Sequence, residues 1–211
     1  MTIRQENALK TKQKLLDAAT DFIIKGDFND LKVEDITKAC GCAKGTFYVY
    51  FKNKEEISNE ICRNLFNQIA VRLEKMKDKD FTQRMEHYFI SFMQEVERYG
   101  INICREWIKN VIDPKCAGAD WDNSKWQFDV SMLQDILHKS VQSGELKKTT
   151  PVDLLVHIII CELYGMMTCW CMSDGVFEPQ EQTQAFFKTQ IKPMLDKYLV
   201  KEKQNAICKV R

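Results

Sequence analysis

Apolar residues recur three and four positions apart along this chain, and that spacing predicts a succession of helices. Leu15, Ala19, Phe22 and Ile23 outline the first, from about Leu9 to Lys25, with Gly26 as its stop and polar residues 1–7 frayed before it. Phe28 and Leu31 plug the gap that follows. Val33, Ile36 and Ala39 then share an inner face, while Glu34, Asp35 and Lys38 face water. Phe47 and Phe51 mark a short helix from Lys44 to Phe51 with Tyr50 close to its inner side. Ile57, Ile61, Leu65, Ile69 and Leu73 draw a sloping stripe on a long helix from Glu55 to about Lys77. Further helices are expected over Phe81–Tyr99, Ile101–Ile112 and Trp126–Gln142. Asp113-Pro114 ends the second of these. Residues 114–124, with Gly118 and Trp121, read as the lip of a pocket. Thr150-Pro151-Val152-Asp153 reads as a helix start, Thr as cap and Pro at the first position, for a segment apolar nearly all round to Met172. Glu178-Pro179 opens a last helix with Phe186, Phe187, Ile191, Leu195, Tyr198 and Leu199 inward and a kink at Pro193. Residues 201–211 are a polar, basic tail.

Between the second and third segments stand only Gly41, Cys42 and Ala43 after Cys40. Gly supplies the positive φ of a sharp helix end, so the pair reads as a helix-turn-helix with its second helix as reader. Lys44, Thr46 and Tyr48 lie away from the Phe47/Phe51 face, and Lys52 and Lys54 add charge beyond it. Gly45 costs this helix about 1 kcal/mol of propensity relative to Ala. That cost is understandable where a bulky partner approaches the backbone, and DNA is such a partner. Lys44 suits base edges or phosphate, Thr46 phosphate or a thymine methyl, and Tyr48 phosphate.

The run G-C-A-K-G-T-F-Y-V-Y-F-K-N-K-E-E-I resembles the signature of the tetracycline-repressor (TetR/AcrR) family of transcriptional regulators. The resemblance covers about the first quarter of the chain. It implies an all-α homodimer: a three-helix DNA-binding domain with the helix-turn-helix, then a larger helical bundle that dimerises and binds a small effector. It also implies that Lys44, Gly45, Thr46, Tyr48, Val49, Tyr50 and Lys54 lie at or beside the DNA. The family often has Ser at Ala43 and Thr at Lys32, so two helix-start contacts differ here. The expected division is 1–54 for DNA binding, 55–200 for effector binding and dimerisation, and 201–211 as tail.

Charge adds little to this. Residues 1–54 hold 10 Lys+Arg and 7 Asp+Glu, against 21 and 23 in the remainder, a weakly basic head on a weakly acidic body. Met1 to Lys14 has no apolar run of a secretory signal, and nine scattered cysteines suit a reducing cytoplasm. His87, His138 and His157 have no triad-like neighbours, and no metal-ligand spacing or phosphate-cradling loop appears. An enzyme, a cofactor and a resident metal are therefore not expected. Cys40/Cys42 and Cys169/Cys171 are the paired thiols, spectators or a thiol or soft-metal sensor. Phe89, Phe92, Met93, Cys104, Trp107, Trp126 and Met132 are candidates for an effector pocket or for plain core. Glu162, a carboxylate in an apolar helix, needs a partner: a cationic ligand, His157, or a residue across a dimer. The segment 152–172 is long enough for a membrane span, but His157 and Glu162 interrupt it, so a subunit contact is preferred. The expected partners are operator DNA, a small apolar or cationic-apolar effector, and a second copy through the last two helices. The alternatives are a helical enzyme or binding protein that does not act on DNA, or a thiol- or metal-sensing regulator.

Overall fold

The structure, a computed structural model, describes residues 2–25, 28–76, 78–113 and 125–200, without the side chains of residues 65, 66 and 74. The expected stop at Gly26, the Leu65 position of the apolar stripe, the 114–124 lip and the 201–211 tail fall outside the described residues. Among the described residues the fold is all-α, apart from one isolated antiparallel bridge between Leu146 and Leu199.

Helix α1 (Ile3–Lys25) starts six residues before the expected Leu9. The reason is a reciprocal cap: Thr2 N–H donates to Gln5 Oε1 at 2.8 Å, and Gln5 N–H to Thr2 Oγ1 at 3.3 Å. Leu15, Leu16, Ala19 and Ile23 are buried, while Phe22, expected inside, is 40% exposed. Helices α2 (Val33–Ala39) and α3 (Lys44–Tyr50) fold against α1 over Phe28, Leu31, Ile36 and Phe47. The long α4 (Lys54–Lys75) is capped by Asn53, whose side chain accepts from Glu56 N–H at 2.8 Å. It touches α1 on one side and α5, α6 and α7 on the other.

Helix α5 (Phe81–Tyr99) starts at an Asp80/Gln83 capping box and is buried along most of its length. Gly100, at φ 81°, turns the chain into α6 (Ile101–Ile112). Helices α7 (Lys125–Gln142) and α8 (Val152–Met172) pack together, and α9 (Pro179–Phe186) lies along α5. The last helix does not simply kink at Pro193. A π-helical stretch over Phe187–Ile191 separates α9 from α10 (Lys192–Asp196), which absorbs the missing N–H of Pro193 one turn early. Buried residues of α1–α3 and of the larger body form one connected core.

Three further expectations are corrected. Thr150 does not cap α8: its hydroxyl donates to Lys147 O at 2.6 Å, and Pro151 holds the cap position instead. Helix α8, expected as a buried central helix at a subunit contact, is buried on one side within this chain. Leu155, Val156, Ile159, Ile160 and Leu163 face the core, whereas Leu154, His157, Cys161, Gly165 and Met172 are exposed. Phe186 points outward at 40% exposure, next to a fully buried Phe187, because neighbours on a helix diverge by about 100°.

Candidate nucleic-acid interface

The turn of the helix-turn-helix is built by backbone. Gly41 adopts φ 67°, its N–H bonds Lys38 O at 3.2 Å, and Cys42 N–H bonds Thr37 O at 2.9 Å, the paired bonds of a Schellman ending. Asp35 accepts from Lys32 N–H at 3.3 Å, so the start of α2 is capped by its acid while the Lys32 side chain contributes no cap. Ala43 makes no side-chain cap for α3, and Thr46 N–H bonds its carbonyl at 2.9 Å.

Helix α3 separates its residues sharply. Phe47 is fully buried and lies 5.6 Å from the ring of Phe51, which is also buried. Lys44, Gly45, Tyr48 and Val49 are exposed, Tyr48 at 52% and Val49 at 76%, with Thr46 and Tyr50 half-buried. Lys44 Nζ meets Glu34 Oε1 at 2.5 Å across the motif. Each charge favours the other's ionised form, so the Glu34 carboxyl is held below its ordinary range and the Lys44 ammonium above. Both side chains are more than half exposed, so the pair adds little to stability.

Of the two lysines beyond α3, only Lys52 is exposed. Lys54 is engaged inside the protein. Its ammonium donates to Phe28 O at 3.1 Å and Asn29 O at 3.0 Å and lies 4.8 Å from the Phe28 ring centre. It therefore ties the turn before α2 to the start of α4. Lys12 plays a similar part, pairing with Glu60 at 2.6 Å.

The residues expected at an effector pocket are distributed over three places. Phe89 packs on Phe187 and Tyr88. Trp107 donates through Nε1 to Ser58 Oγ of α4 at 3.0 Å and packs on Tyr99, and Cys104 is buried in the same layer. Phe92 and Trp126 both meet Tyr164, at 6.4 and 6.2 Å between ring centres. Met93 is fully buried core, and Met132 is partly buried against it. Glu162 is half-buried and has no ion pair among the described residues; His157, its proposed neighbour, stacks on Trp126 at 6.1 Å instead.

Beside Tyr164 lies a polar cluster that the spacing argument missed. Lys125 and Asp129, one turn apart on α7, are 8% and 3% exposed and form an ion pair through Asp129 Oδ2. The Tyr164 hydroxyl of α8 donates to the same oxygen, and the Lys125 ammonium lies 5.8 Å from the Tyr164 ring centre. Asp129 Oδ1 is buried without a hydrogen-bond partner. Burial drives the Tyr164 phenol well above its ordinary range, and it pushes the neighbouring Cys62 thiol up to about 12. The sequence signal was only a Lys and an Asp four apart, which ordinarily marks a solvated helix face.

The description "Bacterial regulatory proteins, tetR family" matches residues 15–61, a span that holds the whole helix-turn-helix and the start of α4. The chain is 26% identical over 166 residues to the fatty acid metabolism regulator protein of Bacillus subtilis, covering 78% of this chain and 86% of that one. In structure it is similar to FadR of Bacillus subtilis solved in complex with stearoyl-CoA, at a TM-score of 0.59 and 22% identity over 83% of this chain and 95% of the other. It is also similar to a TetR-family regulator from Pectobacterium atrosepticum, at a TM-score of 0.63 and 17% identity over 95% and 99%. With the signature of α3 seated in a helix-turn-helix and an all-helical body behind it, the chain belongs to the tetR family of bacterial regulatory proteins and is a DNA-binding transcriptional regulator, not an enzyme.

Proposed function

We propose that this regulator is a dimeric cytoplasmic repressor that reads operator DNA with the outer face of α3 and leaves it when a small apolar or cationic-apolar effector enters the helical body. Residues 1–54 read DNA, and 55–200 bind effector and dimerise. The observation that carries the DNA reading is Gly45. A Cβ built there meets no protein atom within 4 Å, and its backbone is not left-handed, so nothing inside the protein asks for glycine. The helix bears the cost of about 1 kcal/mol all the same. A duplex lying against that backbone accounts for it. Lys44, Thr46, Tyr48, Val49, Tyr50 and Lys52 border the same surface, and Lys54 supports it from behind.

Two apolar faces support dimerisation. Leu154, at 57%, and Met172, at 80%, lie exposed on the outer side of α8, and Phe186 of α9 is bare at 40%. Stacking two copies through α8 and α9 would cover them in a four-helix contact around a two-fold axis. Such a dimer must hold its recognition helices about 34–36 Å apart to enter successive major grooves.

For the effector, the supporting observation is the buried cluster of Lys125, Asp129 and Tyr164. Phe92 and Trp126 pack on Tyr164, whose hydroxyl donates to a carboxylate with one unpartnered oxygen, a setting that suits a donor-bearing or cationic group on an apolar frame. Exchanging the Lys125 ammonium for a ligand cation would leave the charge on Asp129 balanced. The relative bound to stearoyl-CoA supports a long apolar part. Movement of α7 against α4 would then change the spacing of the two reading helices.

Tryptophan fluorescence tests the switch, because residues 1–54 contain no Trp while Trp107 and Trp126 lie in the body. Titrations with a quaternary ammonium amphiphile and with stearoyl-CoA, each with and without operator, should show an effector whose affinity operator lowers by the factor that the effector lowers DNA affinity, commonly 5–150-fold. Equal affinity in both titrations would overturn the switch while leaving the DNA reading intact.

A further inference from the structure

Cys40 and Cys42 flank the glycine on which the helix-turn-helix bends. On a regular helix, residues two apart point about 200° from each other. Cys169 and Cys171 on α8 behave so, the first exposed and the second buried. At Gly41 the chain is left-handed instead, and this brings the two flanking thiols to one side. Their sulfurs are 3.1 Å apart, in contact, and both residues are half-buried rather than sealed in the core. Cys40 also borders a surface groove of about 590 Å³ between α1 and α2, walled by Lys14, Asp21, Phe22 and Ala39. A small reagent can therefore reach Cys40 from outside, with Cys42 waiting beside it.

We propose that Cys40 and Cys42 are a modification site, a dithiol that a low-molecular-weight disulfide closes into a Cys40–Cys42 disulfide, and that closure weakens DNA binding. This rests on the reading of α3 as the DNA-reading helix. Cys40, deprotonated, attacks one sulfur of the small disulfide. A Cys40 mixed disulfide forms and the first small thiolate leaves, taking up a proton. Cys42 then gives up its proton and attacks Cys40 Sγ, forming the internal bond and releasing the second small thiol. The protein loses two electrons and two protons, and the small disulfide becomes two thiols. The Cys42 thiol is pushed up to about 11 by burial and by its hydrogen bond with Cys40, so it rests protonated near neutral pH and gives up that proton on attack.

The consequence for reading follows from position. Closure draws the sulfurs from 3.1 Å to the roughly 2.05 Å of a disulfide within a ring of three residues, so no distant loop takes up the change. Cys42 holds the turn through its N–H bond to Thr37 O, and only Ala43 separates it from the first residue of α3. Displacing Cys42 re-aims α3 relative to α2.

The test uses the full chain and oxidised glutathione as probe. The reduced protein first selects its operator from random duplex DNA. After treatment, intact mass and peptide mapping should show transient glutathione on Cys40, then loss of two hydrogens and a 40–42 linkage. Operator affinity should fall by roughly tenfold or more, within the 5–150-fold range usual for coupled sites, and dithiothreitol should restore it. The Cys40→Ser/Cys42→Ser double variant should bind like reduced wild type and ignore glutathione disulfide. Should that variant bind poorly when reduced, Cys40→Ser alone, which cannot close the ring, takes its place in the comparison. Hydrogen exchange at amides 38–46 gives a readout independent of DNA, and closure should change it. A protein that forms no 40–42 linkage, or forms it without change in affinity or in exchange, overturns the proposal. So does a serine variant that remains oxidant-sensitive. A reduced protein that selects no DNA at all would count against the DNA reading itself, with the exchange readout still deciding whether closure reshapes the turn.

Discussion

Tyr48 and Asp129 stand at opposite extremes of how this protein places a polar group. Tyr48 is 52% exposed on α3, directly beside a fully buried Phe47. Asp129 is 3% exposed inside the body and holds Lys125 and Tyr164 on one oxygen while the other has no partner. The reader keeps its polar groups in water, where an incoming phosphate can recruit them at little cost. The body has already taken its charges out of water, so its polar groups are expensive to disturb and selective about what replaces them. On the proposed reading, one region suits a large, charged, external partner and the other a small one that fits the interior.

The largest expected effect separates these regions by stability. Asp129→Ala removes the buried carboxylate that both the Lys125 ammonium and the Tyr164 hydroxyl address, and should cost about 3–5 kcal/mol in denaturant unfolding. Replacing both partners together, Lys125→Met with Asp129→Leu, should recover most of that loss. A single variant within about 0.5 kcal/mol of wild type would show that the pair is not buried in solution. At the reader, adjacent residues should behave oppositely. Phe47→Ala should cost about 3–5 kcal/mol. Tyr48→Ala should leave thermal stability within about 0.5 kcal/mol and weaken operator binding.

The two lysines after α3 offer a finer division. Lys54→Ala removes charged donors from Phe28 O and Asn29 O, so it should destabilise by about 1.5–3 kcal/mol. Lys52→Ala should leave unfolding unchanged and lower the slope of log affinity against log salt by about 1. Identical behaviour of the two variants would erase the distinction drawn between them. The smallest effect is electrostatic. The Arg84 guanidinium grips Glu145 through two bonds, 2.9 and 2.7 Å, and holds its carboxyl below the ordinary range. A depressed folded value means that this contribution is present above the ordinary carboxylate pKa, near pH 4.5, and is lost as pH falls through the lower folded value. Arg84→Met should lower stability at pH 7, where the contribution is present, and its difference from wild type should fade as pH falls through that window, flattening acid unfolding.

What the sequence disclosed follows the same division. The helix-turn-helix was legible because its signals are local: Gly41 at the turn, Phe47 and Phe51 four apart, and the polar row between them. Helix bounds from α5 to α7 were legible for the same reason. Lys125 and Asp129 were not, since four-residue spacing of opposite charges says nothing about burial, and burial here depends on α8 delivering Tyr164. Lys54 was expected at or beside the DNA, and its tie to the protein was not legible because its carbonyl partners lie 25 and 26 residues earlier in the chain. Phe186 was placed inside because it neighbours Phe187, and apolar character alone does not say which of two adjacent helix residues faces in.

The central claim is that α3 presents its backbone to DNA at Gly45, and Gly45→Ala tests it most directly. With open space around the added methyl and an ordinary helical backbone, the variant should gain about 1 kcal/mol of stability. Operator affinity measured on the same preparation should fall. A variant that is more stable and binds operator as tightly as wild type would contradict the account.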